Sequence, residues 1–200
     1  MDFSMGRESA FRLPRGIRPG PLSKVIPAEG YRHGVFKHAG RKVPMLAASV
    51  SAERLFEVFC DLLEPLGETV DAYLQRHAGG AAAHEMLRES VDLPVLLSQL
   101  CDAEELLVDD GATGVVICAK SSEPMAEVHL DDHKALIIYA YNLTPFMMVL
   151  DRHGLRRDPG HRLVLEDQHL HLELPDAEEA FDRLASELSM MPVPGKVRHG

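Results

Sequence analysis

The residues best suited to chemistry lie in one short run, His169-Leu170-His171-Leu172-Glu173-Leu174. On an extended chain alternate side chains share a face. His169, His171 and Glu173 therefore point one way, and the three leucines point the other, toward a core. Two imidazoles and a carboxylate on one face are the beginning of a metal site, and His-x-His on a strand suits Zn2+, Fe2+ or Mn2+. A second cluster, His129, Asp131 and His133, falls at the turn between two expected strands and supplies further ligands if the sheet order brings it close. His161 is a remoter candidate. The ordinary account of the same residues is a solvated strand face, because the chain holds 11 histidines and no closing motif such as His-Glu-x-x-His occurs. His84-Glu85-x-x-Arg88 has that outline, but arginine cannot serve as the second ligand.

Other chemistry has less to work with. No Gly-x-Ser-x-Gly elbow occurs, and Ser121-Ser122 sits at a turn between strands. Neither Gly-x-Gly-x-x-Gly nor a P-loop is present; Gly79-Gly80-Ala81-Ala82 reads as a connector. Cys60, Cys101 and Cys118 are odd in number, far apart and set among apolar residues, which reads as three buried, reduced thiols in a cytoplasmic protein. No apolar run approaches the ~20 residues of a membrane span.

Charge is distributed unevenly. Residues 1–42 carry nine Lys/Arg against Asp2, Glu8 and Glu29, a net of +6 in a chain of −10, which leaves −16 for residues 43–200. An acidic body argues against a nucleic-acid binder. Residues 1–33 also hold four prolines and four glycines, so they read as a basic arm without regular structure. Arg12, Arg15 and Arg18 are its candidate partner-binding residues. The acidic stretch of Glu64, Glu68, Asp102, Glu104, Glu105, Asp109 and Asp110 reads as a solvated face; Asp109-Asp110 opposes the dipole at a helix C-terminus and calls for a nearby cation, from the basic arm or from a basic partner.

The body spans residues 34–190, with 191–200 as a frayed tail. Gly34–Lys37 and Val43–Ala47 read as a strand pair around Ala39-Gly40, with Pro44 suggesting a sheet edge. Leu55, Phe56, Phe59, Leu62 and Leu63 have helical spacing behind Ser51 as cap. Val70, Ala72 and Leu74 alternate as a strand. A short helix over 81–89 and a longer one from Asp92 to about Val108 follow. Residues 114–141 read as a three-stranded meander whose 127–130 segment alternates like an outer strand. Then come a helix over 145–153, a strand region over 162–174 broken near Asp167, and a last helix capped by an Asp176-x-x-Glu179 box. The fold class is α+β: a two-layer sandwich of a largely antiparallel sheet with helices on one face. The recurring order allows two similar β-β-α-β-α halves.

Two functions follow as expectations. The first is a non-catalytic cytoplasmic protein–protein interaction module, a regulator, adaptor or inhibitor, with no cofactor and with a protein partner or a second copy of itself on the arm. The alternative is a metal-dependent enzyme in which His169, His171 and Glu173, completed by His129 or His133, hold a divalent ion such as Zn or Mn that activates water.

Overall fold

Alternating burial builds the sheet. The structure, a computed structural model, describes residues 11–38, 40–77, 84–120 and 126–193. In β4 (Thr69–Arg76) Val70, Ala72 and Leu74 have no solvent exposure, while Asp71, Tyr73 and Gln75 face the other side. β2 (Gly30–His38), β3 (Arg41–Ser49), β5 (His84–Asp92), β6 (Thr113–Ala119), β7 (Ala126–Leu130), β8 (Leu136–Ala140) and the short β10 (Met191–Pro192) join it. The order across the sheet is β10-β5-β4-β6-β7-β8-β3-β2, antiparallel at every pairing.

The helices α1 (Ala52–Leu63), α2 (Leu93–Asp102), α3 (Glu104–Asp109), α4 (Thr144–Arg152) and α5 (Ala177–Glu187) share one core with the inner sheet residues. There Leu55, Phe59 and Leu62 of α1 and Phe181 of α5 meet Leu46, Ile117, Val128 and Ile138. Each such side chain contributes about 1.5–3 kcal/mol by leaving water, so this layer sets the fold. The expected α+β two-layer sandwich is what forms. No helix among the described residues is long and apolar enough to cross a membrane.

Several expected elements take a different form. The segment expected as a helix over 81–89 is, in its described part, strand β5, whose backbone is paired along β4 from Arg76↔His84 to Thr69↔Asp92. The long helix from Asp92 breaks at Ala103 (φ −111°, ψ 14°), and the break turns Leu106, Leu107 and Val108 together into the core. β7 is not an outer strand. It lies between β6 and β8, and it alternates because the α-helical core packs against the face that carries Val128 and Leu130. β3 is likewise internal, and Pro44 is tolerated because the ladder to β8 begins only at Met45. Ser51 and Asp176 precede their helices without a side-chain cap bond. The Ser51 hydroxyl instead accepts the Arg12 N–H at 3.0 Å and donates to Glu53 at 2.7 Å. The expected tail contributes β10 on the edge of β5. The Ser121-Ser122 turn, Ala39 and Gly79-Gly80 lie outside the described residues.

A short non-sheet segment packs on the second face. Leu163, followed by a 3-10 turn at Val164–Glu166, packs on Ala47, Ala135 and Ile137. Next to it β1 (Ile17–Pro19) and β9 (His169–His171) form a separate antiparallel ribbon. The strand expected over 162–174 thus shrinks to three residues outside the main sheet. The second half therefore returns no strand comparable to β4 to the sheet.

The described part of the basic arm is laid on the body. Ile17 and Val25 are buried. Ala52 donates its N–H to Arg12 O at 2.7 Å, Gly20 to Gln168 O at 2.8 Å and Lys24 to Asp167 Oδ2 at 2.9 Å.

Candidate metal centre

The ribbon sets β9 against the β7–β8 turn, and this brings three histidines together. His133 comes from that turn, and His169 and His171 come from β9. Their ring centroids form a near-equilateral triangle with sides of 4.8, 4.9 and 5.1 Å. One ligand nitrogen from each lies within 4.8 Å of the others. Imidazoles bound to one tetrahedral ion at 2.0–2.1 Å place their nitrogens about 3.3 Å apart, so the three nitrogens would close in by up to about 1.5 Å around an ion.

Two of the three Nδ1 atoms are already engaged. His169 Nδ1 lies 2.7 Å from Asp167 O, and His171 Nδ1 bonds Gly111 O. A carbonyl only accepts, so each Nδ1 is the donor, and in the neutral ring the lone pair is then on Nε2. His133 Nδ1 sits 3.0 Å from Asp132 Oδ1 and 3.4 Å from Asp131 Oδ2, without the alignment of a hydrogen bond to either. Asp132 also reaches His171 Nδ1 at 3.9 Å. Outer-sphere carbonyls and carboxylates of this kind fix the tautomer and orientation of metal-binding histidines.

Electrostatics favour a cation here. Burial alone would lower the pKa of His133, but Asp131 and Asp132 overcome it and push the imidazolium up to about 10. Burial would raise the Asp132 carboxyl, and His133 holds it below the usual range instead. A metal ion bound by His133 would have to displace that proton, because only the neutral imidazole is a ligand.

The turn is held rigidly. Asp131 Oδ1 accepts the Ala135 N–H at 2.8 Å, and Asp131 O accepts the Lys134 N–H at 3.0 Å. Lys134 sits at φ +59°, uncommon for a residue with a side chain. Its ammonium is buried and donates to Leu107 O (2.9 Å) and Thr113 O (2.6 Å). Burial pushes that ammonium down to about 8. The lysine thereby clamps the turn to α3 and β6.

The other expected ligands go elsewhere. Glu173 pairs with Arg76 at 2.7 Å, and Arg76 also reaches the fully buried Asp110 at 2.8 Å. His129 bonds Glu127 at 3.1 Å and stands edge-on to Tyr139 on the open sheet face. His161 lies 2.8 Å from Ser49 Oγ, away from the triangle. Leu170 and Leu172 do not point into the core. Both are about half exposed, because β9 lies outside the main sheet. Asp132 and Gly111 carry no local motif that marks them as ligand supports; only their folding partners do.

The arm's cations and the cysteines also find definite places. Arg15 reaches Glu105 at 2.7 Å and Asp109 at 3.0 Å, supplying the cation that the acidic helix end calls for. Arg18 donates to Pro14 O and Ile17 O, both at 2.9 Å. Arg12 is exposed and lines an open cleft of about 680 Å³ with Glu53, Asp102 and Glu104. Cys101 is exposed in that cleft rather than buried. Burial pushes Cys60 and Cys118 up to about 12, so neither is a nucleophile at neutral pH.

Comparison with known proteins adds no relative: no family model, no curated protein and no solved structure matches this chain.

Proposed function

We propose that this chain binds one divalent transition-metal ion of the zinc class through His133, His169 and His171, and that it acts through a water held on that ion. The observation carrying this reading is the triangle of imidazoles, with His169 and His171 tied through Nδ1 to a backbone carbonyl and His133 facing a carboxylate pair. An all-imidazole set suits Zn2+ better than Mn2+ or Mg2+, which prefer oxygen. Three protein ligands leave a fourth tetrahedral position for water, the arrangement of hydrolytic rather than structural zinc. A zinc-bound water loses its proton near neutrality and becomes a nucleophile. His171 is exposed, so solvent and substrate reach the site. Within the chain, β9 presents two ligands, the turn presents the third, and Asp131 and Asp132 lie beside His133.

The docking-arm function is the weaker reading on this geometry. Arg15 and Arg18 make their polar contacts inside the chain, which leaves Arg12 for a partner.

Elemental analysis of protein purified without chelators tests the proposal. It predicts close to one zinc-class ion per chain, lost in His169→Ala/His171→Ala and in His133→Ala. Protein that is metal-free, and that takes up no Zn2+ or Co2+ at micromolar concentration, refutes it.

A further inference from the structure

Three chain segments cross directly behind His171. The arm passes at Gly16, the α3–β6 turn at Gly111, and the end of the ligand strand at Leu172. Leu172 donates its N–H to Gly16 O at 2.9 Å, and Gly111 donates its N–H to Leu172 O at 2.9 Å. The Gly111 carbonyl accepts from His171 Nδ1. Gly111 thus holds the ligand strand with both of its backbone groups, one of them directly on a proposed ligand ring.

Neither glycine is needed for its conformational freedom, because neither adopts a positive φ. What both need is space. A Cβ on Gly111 would collide with Gly16 O and come within 2.9 Å of Leu172 N. A Cβ on Gly16 would lie 2.6 Å from Gly111 N and 2.9 Å from Asp109 O. All of these neighbours are backbone atoms, so no side chain can swing aside. Ordinary contact begins near 3.4 Å, and the segments would have to part by about 0.8 Å or more.

We propose, on the basis of the zinc reading above, that Gly16 and Gly111 are positioning residues of the metal centre. Their bare backbones let the arm, the α3–β6 turn and β9 cross closely enough to hold His171 beside His133. Metal ligands tolerate displacements of only a few tenths of an ångström, and the Gly111–His171 bond transmits any movement of the turn to the ring. The arm is therefore part of the site's frame, through Gly16 and the register Ile17↔His171 and Pro19↔His169.

The experiment compares the full-length chain with Gly111→Ala and Gly16→Ala, each checked for folding by thermal melt, in Zn2+ calorimetry and Co2+ visible spectra. A Val149→Ala variant, truncated in the core on α4, serves as a control of similar stability loss. The expected result is 10–100-fold weaker metal binding and a fainter tetrahedral Co2+ spectrum in either glycine variant, with unchanged affinity in the control. In the metal-free protein, 15N spectra should show His171 as the Nδ1–H tautomer in the parent chain and as a tautomer mixture in Gly111→Ala. Should one glycine variant fail to fold, the other carries the test. Parent-level affinity in a folded glycine variant overturns the positioning role and leaves the zinc reading standing. A parent chain that binds no metal overturns the zinc reading itself, and the positioning role falls with it.

Discussion

Replacing Asp110 with alanine probes the clamp that joins the segment following β9 to the sheet. The Asp110 carboxylate has no solvent exposure. It accepts the Leu174 N–H at 3.0 Å, the Arg76 guanidinium at 2.8 Å, the Thr113 hydroxyl at 2.7 Å and the Ala112 N–H at 3.3 Å. Removing one partner of a buried ion pair costs about 3–5 kcal/mol, and each stranded neutral donor adds about 1–3 kcal/mol. Two features soften the loss: Arg76 keeps Glu173 at 2.7 Å, and the vacated space is polar enough for water. A net loss of about 4 kcal/mol is expected, which at 2–4 °C per kcal/mol for a chain of this size lowers Tm by roughly 8–16 °C. Asp110→Asn keeps an acceptor for Leu174 but loses the charge facing Arg76, and should lose about half as much. Urea denaturation and thermal melts followed by circular dichroism measure both. A stability within about 1 kcal/mol of the parent in Asp110→Ala would refute the clamp.

Three further outcomes follow from other parts of the molecule. Ile17→Ala, in the arm but with 1% exposure, should lower stability by about 2–5 kcal/mol in denaturant titration; a loss below about 0.5 kcal/mol would mean that the arm braces nothing. A thiol reagent at pH 8 should label Cys101 quickly and leave Cys60 and Cys118, pushed up to about 12, for the denatured chain; three fast thiols would contradict their burial. Burial would raise the Glu166 carboxyl, but the paired Arg32 guanidinium holds it below its ordinary range. Its stabilisation is therefore present above the unfolded carboxyl pKa and lost as pH falls, so Arg32→Gln should flatten the stability curve between about pH 5 and 3; an unchanged slope would remove this ion pair from the acid response.

What the sequence made legible was periodicity. Leu55, Phe56, Phe59 and Leu62 announce α1, and Val70, Ala72 and Leu74 announce β4, because each buries one face against the same core. Of the metal candidates, His133, His169 and His171 converge, whereas Glu173 and His129 do not. The His-x-His alternation says which side chains share a face, but not what lies opposite. A three-residue strand paired outside the main sheet turns that face to the β7–β8 turn, and Arg76 draws Glu173 away. Long-range pairing also decided β5, where a segment with no strong local preference became a strand along β4. Gly16 and Gly111 were illegible for a similar reason, since the need for glycine arises from a contact between segments about a hundred residues apart. Within the stretch expected to lack regular structure, Ile17–Pro19 forms β1 and β2 begins at Gly30, while Arg15 pairs with the acidic helix end.

Anomalous diffraction at the zinc edge, from crystals of the chain grown with Zn2+, bears most directly on the proposed metal centre. A single peak about 2.0–2.1 Å from a ring nitrogen of each of His133, His169 and His171 is the predicted result. Density showing the three rings folded with no ion among them, or zinc bound only at other residues, would contradict it.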